Sequence, residues 1–510
     1  MGENSWVVEV NDKVNRLSDI TRSEEKAWQS HSIYKLPACV TDLVTDRKES
    51  VYKPRAISFG PYHYGESNLD PMEAHKERAL LHFIERSGNP LEHYRRALCG
   101  VVKELKDAYD SLDDKWKQDP EAFLKLMIRD GCFMLEVLRS SSTDLTKNGY
   151  ASNDPIFSKH GMTYMLPYIK RDMLMLENQL PMLLLRTLHA VYKQDAMTSE
   201  ESADQSEKSA QRSEESAQRS EESVDKLILK FYSHIYSSSC STQPKLDECL
   251  HILDAYRTIL LWKDSVTQTQ EFTPHCKEGN NSGDVLSARE LKESGISIKK
   301  SKSTSLTDIQ FDCKWGILKL PPICMDDVSE TMFLNLIAFE RFHAGVGSQV
   351  TNYIYLMDKL IDDAKDVNIL QSHGILHNAL GSDKALAQLI NSLSKDVVLD
   401  RDSNLNRVHV AINNYCKTEP HKWRASLIQT YFRNPWALVS VMAAIVLFAL
   451  TIVQALYGAL QYYQGEKKGY LYCKVCFLKI SASRRNSGLV IHCFGEGAEP
   501  KALFHSLVGM

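Results

Sequence analysis

The chain lacks the short motifs that mark the common catalytic folds. It has no G-x-G-x-x-G after a strand, no Walker phosphate loop, no H-E-x-x-H and no G-x-S-x-G. Nucleotide binding, zinc proteolysis and a hydrolase elbow therefore have no local support, and the sequence predicts no cofactor. A positive charge excess is also missing, since the net charge is -4 and no Lys/Arg-rich run carries interleaved aromatic residues. This charge balance argues against a nucleic-acid partner.

The sequence also lacks signals for export or for a disulfide scaffold. Residues 1–25 contain no apolar run, and Trp6 stands where a myristoylation signal needs Ser or Thr. Twelve cysteines are scattered through the chain without dense, regular spacing. Reduced thiols in a reducing compartment are the simplest interpretation. We expect a large N-terminal domain in the cytosol.

One long apolar stretch is present near the C-terminus. Residues 436–457 contain no formal charge and run from Trp436 through Leu447 and Phe448 to Leu456. About 20 helical residues cross a hydrocarbon layer of roughly 30 Å, so these residues are the predicted membrane anchor of a single-pass protein. The alternative is a core helix, although core helices of this length usually keep a polar face. The stretch predicts a plasma-membrane or other endomembrane location, with the lipid bilayer as a partner.

The remaining pattern is mainly helical. We predict a flexible leader over residues 1–30 and a helical domain over 31–430, with a small antiparallel β meander at 296–321. The fold class is therefore mainly α (α+β), followed by the transmembrane helix. Helical patterns cover residues 120–139 and 166–193, with a break expected at Pro181 because proline cannot donate a backbone hydrogen bond.

Two further local patterns concern the first part of the domain. Residues 32–37 and 56–61 are β-like, and the second leads into a turn. A helix is expected to start at Asp70, with Pro71 in its first turn and Glu73 completing a capping box.

A low-complexity insertion interrupts the domain at residues 198–223. Its heptads of Ser, Glu and Arg contain alanine as their only apolar residue, so they cannot form a strong coiled-coil seam. The composition predicts disorder. A tolerated loop expansion and a regulatory use of its serines are the two interpretations.

Several blocks of the sequence occur in an ordered set. They include ISFGPYHYG at 57–65, DMLMLENQLPMLLL at 172–185, SARELKESGISIKKSKS at 287–303 and YFRNPWALVSVMAAI at 431–445. In this order the chain resembles the plant family called domain of unknown function 247, whose members are UPF0481-like proteins. The resemblance implies a plant protein with a long helical region, one C-terminal membrane helix and no assigned activity.

The residues beyond the predicted anchor depart from that family, whose members usually stop soon after the membrane helix. This atypical tail, residues 464–510, is either a genuine extension or a gene-model artefact. It contains the one arrangement that resembles a metal site, with Cys473 and Cys476 followed by His492 and Cys493. Adjacent ligands in the second pair converge poorly on one zinc ion, so free or lipidated cysteines are the alternative.

Carboxylates within apolar helices are the candidates for catalysis. Asp130, Asp172 and Glu177 could form an acid/base group if burial separates their pKa values. The structural alternative is that Glu177, with its neighbours Asn178 and Gln179, satisfies backbone groups freed at Pro181. His63 and His75 are weaker candidates because no nucleophile or metal partner stands at a mechanistic spacing.

The sequence therefore favours a membrane-anchored module that binds other proteins, in recognition or signalling. A membrane-tethered enzyme that uses the three carboxylates is the alternative, and it would need them to converge in an accessible pocket. A self-associating membrane scaffold is a third hypothesis, and the sequence does not decide self-association.

Overall fold

The part of the chain that the structure describes contains nineteen α-helices and five short strands. This computed structural model describes residues 5–41, 51–141, 149–198, 223–233, 235, 242–263, 286–395, 397, 400, 403–417 and 435–464. The chain forms two units, a body (Met1–Gln429) and a C-terminal unit (Thr430–Met510). The mainly helical prediction with a small sheet is confirmed.

The helices of the body are α1 (Ser5–Asn15), α2 (Leu17–Ser30), α3 (Ala38–Thr41), α4 (Glu73–Ser87), α5 (Leu91–Cys99), α6 (Val102–Asp107), α7 (Asp114–Gln118), α8 (Pro120–Arg139), α9 (Lys159–Asp172), α10 (Met182–Thr198), α11 (Val224–Phe231), α12 (Ile252–Leu261), α13 (Ala288–Glu293), α14 (Ser329–Phe342), α15 (Gln349–Leu360), α16 (Ala364–Ser372), α17 (Asp383–Leu393) and α18 (Asn404–Lys417). The strands are β1 (Ser297–Lys300), β2 (Gln310–Asp312), β3 (Ile317–Leu320), β4 (Ile323–Met325) and β5 (Leu376–Asn378).

Helix α8 lies at the centre of the body's core. Asp119 caps it by accepting a hydrogen bond from the Ala122 amide, and Pro120 occupies its first turn. Its apolar residues surround the helix on all sides, and Phe133 and Met127 are fully buried. A helix that is apolar all round must be covered by other elements, and α4 and α10 pack against it. The prediction over 120–139 is confirmed.

The helical pattern is interrupted before Pro181, as the sequence predicts. Helix α9 ends at Asp172, a 3₁₀ turn spans Leu176–Asn178, and α10 starts at Met182. The helical start at Asp70 differs in detail, because Asp70–Met72 forms a 3₁₀ turn and no side chain caps α4.

The three-stranded sheet is mixed, so the predicted antiparallel meander is wrong. Its order is β1-β3-β2, with β1 parallel and β2 antiparallel to β3. The connection from β1 to β2 leaves the sheet because the Leu306 amide and the Ser305 hydroxyl donate to the carbonyls of Leu260 and Leu261. Strand β3 therefore takes the central place that a meander gives to β2.

The leader predicted as flexible over residues 1–30 contains two helices, α1 and α2. Over residues 6–30 the side chains of these helices are exposed except for the half-buried Ile20, and Trp6 and Val14 are 65% and 60% exposed. The polar composition of residues 1–30 predicts a loose leader, because polar side chains provide little apolar area to bury.

The first segments of the body contact residues far along the chain. The Tyr34 hydroxyl lies 2.8 Å from His343 Nδ1, and the Asn335 side chain donates to the Val51 carbonyl across a separation of 284 residues. Ile33 forms an isolated parallel bridge with Tyr109. The β-like pattern at 32–37 therefore yields one bridge and no ladder.

Helix α19 (Pro435–Gln464) is the described part of the C-terminal unit. Its stretch Val439–Leu460 is long and apolar enough to cross a membrane, and none of it is buried. The predicted anchor residues Trp436, Leu447, Phe448 and Leu456 are between 57% and 77% exposed. Residues 199–222 of the insertion predicted at 198–223 lie outside the described residues, as do residues 465–510 of the tail predicted at 464–510, with all four metal candidates.

One cysteine contradicts the interpretation that all thiols are reduced. Cys313 is disulfide-bonded, whereas Cys39, Cys99, Cys132 and Cys324 are free. Spacing along the chain does not say which cysteines meet in space, so the sequence pattern missed this bond.

Candidate functional site

The three predicted carboxylates all contact one largely buried segment, residues 55–63, or its immediate neighbours. Ile57, Ser58, Phe59 and Gly60 are buried, yet the segment belongs to no sheet. Buried amides need acceptors, because an unsatisfied one costs about 1–3 kcal/mol. Here side chains supply the acceptors, and we call this arrangement the clasp: residues 55–63 with Lys76, Asp130, Asp172, Glu177 and Asn178.

Asp172 holds the start of the segment. Its Oδ2 accepts hydrogen bonds from the amides of Arg55, Ala56 and Ile57 at 3.0, 2.6 and 3.0 Å. Its other oxygen accepts from Arg171 at 2.9 Å. Burial raises the pKa of Asp172, and the three amide hydrogen bonds oppose that rise. The Asp172 carboxylate, at the end of α9, therefore accepts the hydrogen bonds that a neighbouring strand would otherwise accept.

Asn178 holds the middle of the segment in the same way. It accepts from the Phe59 amide at 2.6 Å and donates to the Ile57 carbonyl at 3.0 Å. Its amide nitrogen also donates to the Asp172 carbonyl at 2.9 Å. The fully buried Asn178 side chain therefore supplies both the acceptor and the donor that a neighbouring strand would supply.

Asp130 and Lys76 form a fully buried ion pair at the next turn. Lys76 Nζ lies 3.0 Å from Asp130, 2.7 Å from Glu73 and 3.1 Å from the Ser58 hydroxyl. The other Asp130 oxygen accepts from the Gly60 amide at 2.9 Å. Burial raises the pKa of Asp130, while Lys76 and Arg129 lower it. The pair joins α4 and α8 to the segment.

His63 ends the segment between two carboxylates. Its Nδ1 lies 2.7 Å from Glu66, and its Nε2 lies 3.2 Å from Glu177. The other Glu177 oxygen accepts from the Leu36 amide at 2.6 Å. Burial lowers the pKa of His63, but the hydrogen bonds and charges of Glu177 and Glu66 outweigh it, so the pKa lies above 6.5. His75 contacts Arg78 instead, so the two histidines do not pair.

The arrangement brings the three carboxylates to one segment, each as a hydrogen-bond acceptor. Asp130 and Asp172 have no exposed surface. A cavity of about 30 Å³, lined by residues that include Tyr52, Leu334 and Arg341, contains none of the three. The contacts favour the structural role, and a catalytic role for Asp130, Asp172 and Glu177 stays a prediction.

The structural alternative for the residues before Pro181 agrees with these contacts. Gln179 donates to the carbonyls of Met173 and Met175 at 2.7 Å and accepts from the Leu253 amide.

Sequence reasoning missed Lys76, whose i, i+3 spacing from Glu73 is typical of a surface ion pair. In the part of the chain that the structure describes, no group of three or more His, Cys, Asp or Glu residues could hold a metal ion.

Comparison with known proteins gives a family without an assigned activity. A family model described as a plant protein of unknown function, DUF247, matches residues 33–450. The UPF0481 protein At3g47200 of Arabidopsis thaliana is 28% identical over 88% of this chain and 90% of its own length. The putative UPF0481 protein At3g02645 of the same plant is 22% identical over 89% of this chain and 94% of its length. No solved structure matches.

Removing Lys76 is expected to destabilise the body strongly. Lys76→Met leaves the buried charge of Asp130 with fewer partners, so we expect a loss of about 3–5 kcal/mol in unfolding free energy. The double variant Lys76→Met/Asp130→Asn should recover part of that loss. The measurement is denaturant unfolding of the full chain in detergent, followed by near-UV circular dichroism.

The exposed pair Lys117–Asp114 supplies the control, because Lys117→Met should cost less than about 0.5 kcal/mol. Equal losses for Lys76→Met and Lys117→Met would contradict the clasp as described.

His63 should make stability depend on pH. The folded protein holds the His63 proton more tightly than the unfolded chain, so the protonated ring adds stability below pH 6.5. That contribution is lost as the pH rises through the folded pKa. The stability difference between the natural chain and His63→Gln should therefore shrink from about pH 5 to about pH 9. His93→Gln, at an exposed histidine, serves as the control. A difference that stays constant across this range contradicts the assignment.

Proposed function

This chain belongs to the DUF247 family of plant proteins of unknown function, and from that membership we propose that it is a membrane-anchored protein-interaction module. Helix α19 crosses a bilayer once, and the helical body binds other proteins. The observation that carries the anchoring is the exposed apolar surface of Val439–Leu460.

The length and surface of this stretch fit a bilayer. Its 22 residues extend about 33 Å along a helix, close to the thickness of a hydrocarbon layer. Side chains such as Phe448, at 69% exposed, lie on the outside of α19. Contact with water would leave this apolar area hydrated, whereas lipid covers it.

We propose a cytosolic location for the body. The disulfide at Cys313 opposes this placement, because disulfides are rare in the cytosol. A cytosolic body requires Cys313 to be reduced in the cell, and the labelling experiment below separates the two locations.

An exposed aromatic face on α9 supports the binding role. Tyr164 and Tyr168 are 62% and 55% exposed, with exposed His160 and Pro167 on the same side of the helix. The rings of His160 and Tyr164 lie 4.7 Å apart. Aromatic side chains at i and i+4 are typical anchors of protein interfaces, since they bury much area at little cost in conformational entropy.

The opposite side of α9 fixes this face on the body. Ile169 is buried, and Lys170 Nζ lies 4.4 Å from the centre of the Phe231 ring. Asp172, at the end of the same helix, belongs to the clasp. A rigid helix that presents two tyrosines is a better binding element than a loop, because less freedom is lost on binding.

The alternative, a membrane-tethered enzyme, has less support from the contacts. Asp130 and Asp172 are buried, and Glu177 accepts from the Leu36 amide and contacts His63. All three carboxylates hold backbone or side-chain donors of the body. A substrate could therefore replace these hydrogen bonds only if the core opened.

Charges placed in the middle of α19 should release the chain from membranes. Leu447→Arg/Phe448→Arg adds two cations at the centre of the stretch, where each costs about 2.5–3.5 kcal/mol. We expect the variant to be extracted by alkaline carbonate, whereas the natural chain stays with the membrane. Tyr457→Arg, nearer the end of the stretch, is the control and should stay bound because its cation can reach the interface. Extraction of the natural chain by carbonate would overturn the anchoring.

Removal of the two tyrosines should weaken partner binding without unfolding the body. We expect Tyr164→Ala/Tyr168→Ala to lower binding roughly 30-fold or more if both are interface anchors. The measurement is proximity labelling in plant cells, with the labelling enzyme fused to the N-terminus. Mass spectrometry quantifies the labelled proteins.

The same labelling reports the location of the body. Labelled cytosolic proteins would indicate a cytosolic body, and labelled lumenal or extracellular proteins would indicate a body outside the cytosol.

Leu81→Ala, at a 63% exposed position on α4, is the matched control. An identical set of labelled proteins for the natural chain and the double variant would contradict the α9 face as the binding surface.

A further inference from the structure

The three-stranded sheet carries a basic face that neither the clasp nor the α9 face uses. The parallel register sets Lys299 beside Lys319, and both are exposed. Lys302 and Lys314 are exposed in the turns that follow β1 and β2. Among the described residues, none of these four lysines forms an ion pair. We call these lysines, together with Trp315, the basic face.

Trp315 stands at the tip of the turn between β2 and β3. It is 57% exposed, and Lys314 Nζ lies 5.6 Å from its ring centre. The turn is fixed, because Asp312 accepts from the amides of Lys314 and Trp315 at 2.9 and 3.2 Å. Gly316 has φ +65°, and a Cβ there would lie 2.4 Å from the Tyr415 hydroxyl. The ring is therefore presented on a rigid support.

Stability of the sheet does not explain this placement of charge. Like charges side by side on neighbouring strands are destabilising. Lysines often protect sheet edges from aggregation, but Lys319 lies on β3, the central strand. Nearby Asp308 is buried and pairs with Lys263 at 2.9 Å, so it does not neutralise the face. A local positive surface thus stands on a chain with a net charge of -4.

Helix α18, the last described helix of the body, packs next to this sheet. Tyr415 packs on Phe311 of β2 with ring centres 5.6 Å apart, and α18 ends two residues later at Lys417. Residues 418–434 then lead to α19. About 17 residues span at most roughly 60 Å. A bilayer that holds α19 is therefore joined to the body by a limited length of chain, which raises the effective concentration of lipid.

We propose that the basic face binds the anionic phospholipid headgroups of the bilayer that holds α19. Lysine ammonium groups attract phosphate and carboxylate as point charges, and tryptophan is favoured at the membrane interface. Residues 297–320 contain no arginine, so the face lacks the forked donors that read nucleic-acid bases. This proposal rests on the anchoring proposed above, and its test distinguishes the two.

Lysine footprinting of the full chain in lipid nanodiscs tests the basic face. The discs contain phosphatidylcholine alone or with about 30% phosphatidylserine. An acetylating ester labels the lysines, and mass spectrometry gives the rate at each. We expect Lys299, Lys314 and Lys319 to react roughly threefold or more slowly in the anionic discs, and about 0.5 M NaCl should remove the difference. Exposed Lys125 and Lys384 should react at equal rates in both.

A charge-removing variant separates lipid binding from simple crowding. Lys299→Gln/Lys319→Gln should lower the protection of Lys302 and Lys314, whereas Lys125→Gln/Lys384→Gln should leave it unchanged. All four substituted positions are exposed, and circular dichroism checks that the fold is kept.

Equal rates in the two kinds of disc overturn the proposal. Protection by added RNA or by an acidic protein in neutral discs, with none from anionic lipid, overturns it as well. Failure of the chain to enter either disc contradicts the anchoring instead. The same footprint with added anionic vesicles then tests the basic face by itself.

Discussion

The body depends on the need of buried backbone amides for hydrogen-bond acceptors. Residues 55–63 pass through the core without a neighbouring strand, and three side chains replace that strand. Asp172, Asn178 and Asp130 come from the end of α9, from the turn before α10 and from α8. Because these acceptors lie on different elements, the segment can be buried only when α8, α9 and the turn are all in place. The clasp thus couples the first part of the body to its central helices.

Local rules were sufficient for the elements that depend on neighbours in sequence. The limits of α8 follow from the cap at Asp119 and Pro120 and from an apolar pattern that persists for five turns. The break before α10 follows from Pro181, and the exposed surface of α19 agrees with its uncharged sequence. In each case the deciding physical term, a missing donor or a continuous apolar surface, can be read from adjacent residues.

The misses share a different cause. An alternating pattern at 56–61 indicates an extended chain but does not say whether its amides meet a strand or side chains. The order of β1, β2 and β3 depends on where the connection is held, and Leu260 and Leu261 hold it from an element that precedes the sheet. The pairing of Lys76 with Asp130, and of Lys299 with Lys319, likewise depends on contacts across the fold. The carboxylates were found because charge within an apolar run is unusual, but their role as acceptors required the structure.

The contact between Val51 and Asn335 has a consequence for synthesis of the protein. A ribosome adds about 5–20 residues per second, so roughly 15–60 s pass between the synthesis of Val51 and that of Asn335. The interval between Tyr34 and His343 is longer. During that interval the apolar residues near the start of the body have emerged without their final neighbours, so chaperones have a long period in which to protect the nascent chain.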